Sequence, residues 1–395
     1  MTEHTPLIEI NDLAIKFGSH TAVNNVTMDI SRGRIMGLVG ESGSGKSTLA
    51  NAIIGLLPYA AQISHGSIHF DGRNLQSFTA QDWGKIRGKD LAYVSQDPMS
   101  ALNPTLRIGE QMLDIQHFSE QSTTEKLANA LAALEQVRMP QAQARLSMYP
   151  HELSGGQKQR VCIAMAIMAR PKLLITDEAT TALDATLEVE IVRLLKELQK
   201  DIGCSMLFVT HHLTVVEELC DDVTIMHQGD IKECGTVSEV FSNPSDKYTS
   251  NLLTCDPSRI EEKCRRLPIM FNLGLKELAD PEIDRKRINN KSRPLLSIRH
   301  LDVTFRKPRS LIDILTGKPK QRVEAVKTAS LDIAPGETVA LIGESGSGKS
   351  TLARAAFRLV PSEKGEIYFD GTDLLSITNA DMRPFRNEMS LMMQD

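Results

Sequence analysis

Cysteine is sparse in this sequence, and its spacing is irregular. The chain has six cysteines among 395 residues, and no two of them form a CxxC pair. Structural zinc sites and redox-active thiol pairs commonly use that spacing, whereas disulfide frameworks belong mainly to small secreted domains. The pattern argues against both kinds of site and indicates reduced thiols. Cys255 and Cys264 lie closest together, and the sequence assigns them no role.

Long apolar runs are also missing. A membrane-spanning helix needs about 18 or more consecutive apolar residues. The longest candidate, VCIAMAIMA, is much shorter and is followed by Arg170 and Pro171. The N-terminal stretch MTEHTPLIEI has neither a basic region nor an apolar core. The sequence therefore predicts neither a membrane span nor a signal peptide.

Neither sign of charge dominates the chain. The formal net charge is −5 and the isoelectric point is about 6.1. This balance argues against a broad electrostatic grip on nucleic acid, so no nucleic-acid partner is predicted. With 41% hydrophobic and 24% charged residues, the composition is that of a globular protein long enough for two or three domains.

An internal repeat organises the chain. The stretch GESGSGKSTLA occurs at residues 40–50 and again at 343–353, and GSIHFDGRNL is later matched by GEIYFDGTDL. The period is far too long for a solenoid, so it indicates two homologous domains in tandem. We expect a first domain at 1–253, a charged linker at 254–294, and the N-terminal part of a second domain at 295–395.

The hydrophobic pattern predicts an α/β fold. Apolar runs such as GRIMGLVG, KLLIT and SMLFVT are typical of buried strands, and residues 121–147, 156–170 and 185–200 have helical periodicity. Strands that alternate with helices indicate a parallel sheet covered on both faces.

The repeated stretch fits the P-loop pattern GxxxxGK[ST]. Its glycines let backbone N–H groups turn onto phosphate oxygens, the lysine reaches the β- and γ-phosphates, and the following hydroxyl binds Mg²⁺. By itself, the loop does not distinguish a kinase, a GTPase and a transport ATPase. The candidate nucleotide-binding residues are Gly40, Ser42, Gly43, Gly45, Lys46, Ser47 and Thr48 in the first copy, and Gly343, Gly346, Gly348, Lys349, Ser350 and Thr351 in the second.

A second motif, LSGGQ at residues 153–157, selects among P-loop proteins. With it, the chain resembles the ATP-binding cassette (ABC) family along essentially its whole length. The resemblance implies a P-loop NTPase fold with an antiparallel β subdomain and a helical subdomain at about 97–160. It also implies that the signature residues cap the γ-phosphate of ATP held by the opposite cassette; these are Ser154, Gly155, Gly156 and Gln157.

The strand LLITDE ends in two carboxylates, Asp177 and Glu178, which are costly to bury unless a cation or a reaction uses them. By resemblance, Asp177 holds Mg²⁺ and Glu178 polarises the attacking water. Gln96 and His211 match the Q-loop and the switch histidine, which makes Glu178, His211 and Gln96 the catalytic candidates. The metal candidates are Ser47, Gln96, Asp177, Ser350 and Gln394.

Some matches are weaker or depart from the family. Phe17 stands where an aromatic residue stacks on adenine, but it continues the strand face of Ile15, so core packing is an open alternative. Asp184 matches the D-loop. Ala179 replaces the usual proline, and His212 stands where the family commonly has aspartate, so His212 receives no role.

Three stretches resemble the peptide/nickel importer branch: QDPMSALNPTLRIGEQ, YPHELSGGQ and FSNPSDKYTSNLL. The resemblance implies an ATPase peripheral to the cytoplasmic face of the inner membrane, with two transmembrane permease subunits and an extracytoplasmic solute-binding protein as partners. The surface that binds the permeases would be formed by residues 96–104 and 105–150. We expect a charge at Met99 or Leu102 to uncouple hydrolysis from uptake without unfolding the domain.

Two other classes of ABC protein share features with this chain. Ribosome-associated tandem cassettes typically carry a long basic helical linker, whereas this linker has mixed charge and contains Pro268 and Pro281. DNA-repair ABC ATPases carry zinc-binding cysteine modules. An importer ATPase is the preferred interpretation, and a soluble tandem ATPase without a membrane partner is the alternative.

By resemblance, cassettes pair head to tail, within or between chains. The second copy carries no counterpart of the LSGGQ signature, of Asp177 and Glu178, or of His211 before residue 395. The sequence is therefore expected to be a fragment of a longer tandem ATPase. Its own hydrolysis is expected to be weak unless two first domains pair across chains.

Overall fold

The computed structural model describes residues 6–180, 185–256, 259, 293–306, 322–344 and 346–392. The chain divides into two compact units, Met1–Leu273 and Gly274–Asp395. The domain boundaries expected at 253 and 295 remain predictions. In the described ranges, no helix combines the length and the apolar composition that crossing a bilayer requires.

The first unit alternates strands and helices, as the hydrophobic pattern predicts. In chain order its elements are β1 (Pro6–Phe17), β2 (His20–Ser31), β3 (Ile35–Val39), α1 (Lys46–Ile54), β4 (Ala61–Phe70), β5 (Arg73–Asn74), α2 (Ala80–Ile86), β6 (Leu91–Val94), α3 (Pro98–Ala101), α4 (Ile108–Asp114), α5 (Thr123–Gln136), α6 (Ala142–Arg145), α7 (Gly155–Ile167), β7 (Leu173–Asp177), α8 (Ala185–Ile202), β8 (Ser205–Thr210), α9 (Leu213–Leu219), β9 (Asp222–His227), β10 (Asp230–Thr236), α10 (Val237–Ser242) and α11 (Lys247–Thr254). The α/β class is confirmed.

Two sheets build this unit. The antiparallel sheet has the order β2-β1-β4-β5, and its inner face packs on α1 and the larger sheet. The larger sheet has the order β10-β9-β3-β8-β7-β6, in which every pair except β9–β10 is parallel. Strands β3, β7 and β8 are buried along their whole length. That burial explains why they are continuous apolar runs rather than alternating ones.

The parallel order brings four loops to one edge. The carboxyl ends of β3, β6, β7 and β8 lie side by side. The first P-loop follows β3, Gln96 follows β6, the two carboxylates stand at the end of β7, and His211 follows β8. Ligands of open α/β sheets bind at this edge.

The helical region differs from expectation in two places. The helix expected over 121–147 is two helices, α5 and α6, because Arg138 and Gln141 both adopt φ 54°, which ends an α-helix. The expectation that a charge at Leu102 leaves the fold intact is wrong. Leu102 is 2% exposed in the core formed by α4, α5 and α7, whereas Met99 is 55% exposed.

The second unit reproduces the antiparallel sheet of the first. Its described elements are β11 (Leu296–Arg306), β12 (Arg322–Ile333), α12 (Lys349–Ala356), β13 (Lys364–Phe369), β14 (Thr372–Asp373) and α13 (Met382–Glu388), and the sheet order is β12-β11-β13-β14. A core around Leu301, Ile367 and Met382 supports it.

The counterpart of β3 in the second unit does not form a strand. Residues 337–343 carry no strand, and Leu341 and Ile342 are 46% and 90% exposed. In the first unit β3 is hydrogen-bonded to β8 and β9. The described part of the second unit contains no counterparts of those two strands, so its VALIG run has no parallel neighbour to pair with.

Candidate functional site

The first P-loop wraps around the start of α1. Gly45 is the N-cap of that helix at φ 101°, and a Cβ at this position would lie 2.4 Å from the carbonyl oxygen of Ala22. Glycine is therefore required here for two reasons, the left-handed backbone and the close approach of β2. The loop leaves the helix N-terminus, with its unpaired N–H groups, facing a cleft suited to an anion.

Lys46 is folded back onto its own loop. Its Nζ donates to the carbonyl oxygens of Gly40 at 2.8 Å and Glu41 at 2.7 Å, and the residue is 4% exposed. Burial lowers the pKa of Lys46, and the nearby carboxylates of Glu178, Asp177 and Glu41 oppose that shift. Lys46 Nζ also donates to Ser44 Oγ at 3.4 Å, so all three partners are neutral oxygens that phosphate oxygens can replace.

Asp177 lies at the centre of a hydroxyl–carboxylate cluster. Ser47 Oγ donates to its Oδ1 and the Tyr93 hydroxyl donates to its Oδ2, each at 3.0 Å. Burial raises the pKa of Asp177, while the hydrogen bonds from Ser47 and Tyr93 act in the opposite direction. Burial likewise raises the pKa of Tyr93, which keeps its hydroxyl protonated as a donor.

The cluster of Ser47 and Asp177 fits Mg²⁺. This ion is usually held through one or two carboxylates together with substrate phosphates and water, rather than by a full protein cage. Ser47 and Asp177 would supply the protein oxygens beside the P-loop.

Glu178 is held by both other catalytic candidates. Its Oε2 accepts a hydrogen bond from Gln96 Nε2 at 3.0 Å, and its Oε1 lies 3.2 Å from Nδ1 of His211. The backbone of Glu178 adopts φ 47°, and its N–H donates to the carbonyl oxygen of Val209 at 2.9 Å. The three residues that sequence patterns place after different strands therefore meet at one carboxylate.

A cavity of about 360 Å³ joins the P-loop to this carboxylate. That volume is within the usual range of small-molecule sites. Seven predicted nucleotide-binding residues of the first unit line it: Phe17, Ser42, Gly43, Gly45, Lys46, Ser47 and Thr48. The catalytic candidates Gln96 and Glu178 also line it, together with His20 and Ala22, which the sequence did not indicate. Phe17 is half-buried in this wall, whereas Ile15 is fully buried in the core.

The signature residues lie elsewhere in the first unit. Ser154 caps α7: its Oγ accepts from the N–H of Gln157 at 3.4 Å, and its own N–H donates to Gln157 Oε1 at 3.1 Å. Gly155 is open to solvent, and a Cβ on Gly156 would lie 2.1 Å from Leu187 Cδ2. These residues do not line the P-loop cavity, so within one unit the two motifs are not brought together.

The second P-loop has the same local geometry in a more exposed setting. Lys349 Nζ donates to the carbonyl oxygens of Gly343 at 2.7 Å and Glu344 at 2.6 Å, and Gly348 caps α12 at φ 93°. Gly346, Ser350 and Thr351 continue the loop and the helix. Gln394 and, in the first unit, Asp184 lie outside the described residues, so their roles remain predictions.

Comparison with known proteins identifies relatives over nearly the whole chain. The ABC transporter family profile matches residues 23–181 and 326–395, more than half of the sequence. The glutathione import ATP-binding protein GsiA of Salmonella paratyphi A is 39% identical over 384 residues, which cover 95% of this chain and 61% of that protein. The protein of the same name from Escherichia coli K12 has the same identity and coverage.

Two solved structures resemble this chain in fold over 62% and 58% of its length. The structure of cbiO1 from Clostridium perfringens, which is part of the ABC transporter complex cbiONQ, is 28% identical to this chain with a TM-score of 0.54. The match covers 62% of this chain and 95% of cbiO1. The ATP-binding cassette MJ0796, a dimer bound to ADP and Pi, is 27% identical to this chain with a TM-score of 0.52. The match covers 58% of this chain and 98% of the MJ0796 chain.

Proposed function

Because the chain belongs to the ABC transporter family, we propose that its first unit binds ATP with Mg²⁺ and hydrolyses it. The observation that carries this proposal is the position of Glu178. It opens onto the P-loop cavity while Gln96 and His211 hold its two carboxylate oxygens. A carboxylate fixed beside a phosphate-binding loop can orient a water for attack on a γ-phosphate.

Each group of the cavity has a role in nucleotide binding. Lys46 would leave the carbonyls of Gly40 and Glu41 and bind the β- and γ-phosphates, while the N–H groups at the start of α1 bind phosphate oxygens. Bound Mg²⁺ would neutralise phosphate charge, with Ser47 and Asp177 as its protein ligands and Gln96 nearby. Phe17, half-exposed at the end of β1, would stack on the adenine ring.

Hydrolysis is assigned to Glu178 and His211. Glu178 would accept a hydrogen bond from the attacking water, and His211 would contact the γ-phosphate and keep Glu178 oriented. A positioned base of this kind typically contributes about 10²–10⁴-fold to the rate.

The γ-phosphate also needs a cap. Ser154 and Gly155 are exposed at the N-terminus of α7, Gly156 follows them in its first turn, and none of the three lines the cavity of its own unit. We therefore assign this surface, with Gln157, to the nucleotide of an opposing cassette, within one chain or between chains. A second nucleotide would bind the loop of Lys349, with Ser350 and Gln394 near its metal.

The cellular role is proposed from the relatives. The chain spans 61% of the length of the glutathione import ATP-binding proteins that it matches. We propose that it powers an importer of peptides or peptide-like compounds, with two permease subunits and an extracytoplasmic solute-binding protein. It would lie on the cytoplasmic face of the membrane, and the exposed surface around Met99 would face the permeases.

The test compares ATP binding and permease binding. Calorimetry should detect Mg²⁺-dependent ATP binding, and co-purification from membranes should recover permeases. Failure to bind ATP would refute the nucleotide site, whereas ATP binding with ribosomes in place of permeases would refute only the import role.

A further inference from the structure

His212 and Glu188 form a contact that the proposed mechanism does not use. Nδ1 of His212 lies 2.9 Å from Oε1 of Glu188. An ionised carboxylate only accepts hydrogen bonds, so the Nδ1–H group of His212 donates. The contact joins the start of α9 to α8, and Glu188 is only 18% exposed at its side chain. The pair therefore fixes the ring of His212.

The fixed ring of His212 packs against His211. The two imidazoles lie edge to face, with centroids 4.4 Å apart and an interplanar angle of 80°. The side chain of His211 is 40% exposed, and its Nδ1 lies 3.2 Å from Oε1 of Glu178. Because the side chain is so exposed, core packing does little to fix the rotamer of His211. The ring of His212 restrains the His211 ring on the face where the two rings meet.

Two cavities border the side chain of His211, so its rotamer needs this restraint. His211 borders a cavity of about 340 Å³ that it shares with Gly40, Ser42 and Glu178. It also borders a cavity of about 460 Å³ that is lined by Glu188, His212, Val192 and Cys255. Without the ring of His212, the imidazole of His211 has room to rotate out of the first cavity and into the second.

We propose that His212, held by Glu188, is a positioning residue for His211 in ATP hydrolysis. The inference rests on the proposed function, because it assumes that His211 acts on the γ-phosphate. Misplacing a reacting group by about 1 Å can lower a rate by about 100-fold. Partial loss of the restraint is expected to lower kcat by roughly 10-fold, and the KM for ATP should stay unchanged because neither residue lines the P-loop cavity.

The kinetic test is a double-mutant cycle. His212→Ala and Glu188→Ala should each lower kcat, and the double variant should lower it no further, since both remove one restraint. Glu188→Gln keeps an acceptor oxygen and should retain most of the activity. Glu218→Ala, which removes a carboxylate from the same 460 Å³ cavity, is the matched control and should behave like the parent. Additive losses, or a change in KM alone, would overturn the inference.

Two further measurements separate the possible failures. If Glu178→Gln hydrolyses ATP like the parent, the proposed function fails; if it is inactive while His212→Ala is fully active, only this inference fails.

Ring ¹⁵N NMR of the histidine-labelled chain needs no turnover, with His211→Gln used to assign the His211 signals. His212→Ala should shift those ¹⁵N signals towards the tautomer average of a mobile ring. Unchanged His211 signals would overturn the proposal whatever the kinetics.

Discussion

Tyr93 provides a sharp test of the proposed Mg²⁺ site, because its hydroxyl holds one oxygen of Asp177 while Ser47 holds the other. If Ser47 turns to Mg²⁺ when MgATP binds, Tyr93 is the donor that still orients the carboxylate. A hydrogen bond to a charged group contributes about 1.5–3 kcal/mol, so Tyr93→Phe should weaken MgATP binding by roughly 10- to 100-fold.

The loss should depend on pH. Burial raises the pKa of Asp177, and the hydrogen bond from Tyr93 opposes that rise. Removing the hydroxyl therefore raises the pKa further, and a protonated Asp177 cannot bind Mg²⁺. The defect of Tyr93→Phe should grow as the pH falls and shrink as the pH rises.

Calorimetry with MgATP, and with ATP in EDTA, separates the metal from the nucleotide. Tyr59→Phe, at a fully exposed tyrosine, is the matched control and should change neither affinity. Tyr93→Phe should weaken binding with Mg²⁺ and leave metal-free binding nearly unchanged. Equal losses under both conditions would refute the assignment of Asp177 to the metal.

Two other substitutions test separate parts of the account. Lys46→Ala should abolish ATP binding at physiological concentrations, because no other lysine or arginine lines the cavity among the described residues; unchanged affinity by calorimetry would contradict the P-loop assignment. Leu102→Glu should destabilise the domain by about 3–5 kcal/mol through an unpaired buried charge, whereas Met99→Glu should leave thermal unfolding unchanged and uncouple ATPase from uptake. Equal melting curves for the two variants would contradict the burial of Leu102.

The sequence predicted those parts of the site that are local in the chain. The P-loop, the carboxylates of β7 and the histidine after β8 each follow an apolar strand, and parallel strands place their carboxyl ends together. Their meeting at one carboxylate could therefore be expected. The sequence predicted the helix lengths less accurately, because the left-handed backbone of Arg138 and Gln141 has no strong sequence signal.

Contacts between distant segments could not be predicted. Tyr93 is a typical residue of a buried strand, and only the register that pairs it with Ile175 brings its hydroxyl to Asp177. Helix α3 is a single turn, too short for periodicity to show that Leu102 faces inward and Met99 outward. His212 departs from the family pattern, and its partner Glu188 lies on another helix.

Glu178 is proposed to act on the attacking water rather than on nucleotide binding. The most direct measurement is the affinity and turnover of Glu178→Gln, which keeps the size of the side chain and an acceptor oxygen. We expect ATP affinity within about twofold of the parent and kcat lower by about 10²–10⁴-fold, with the closed nucleotide-bound pair of cassettes accumulating. Equal losses of affinity and kcat, or unchanged turnover, would contradict it.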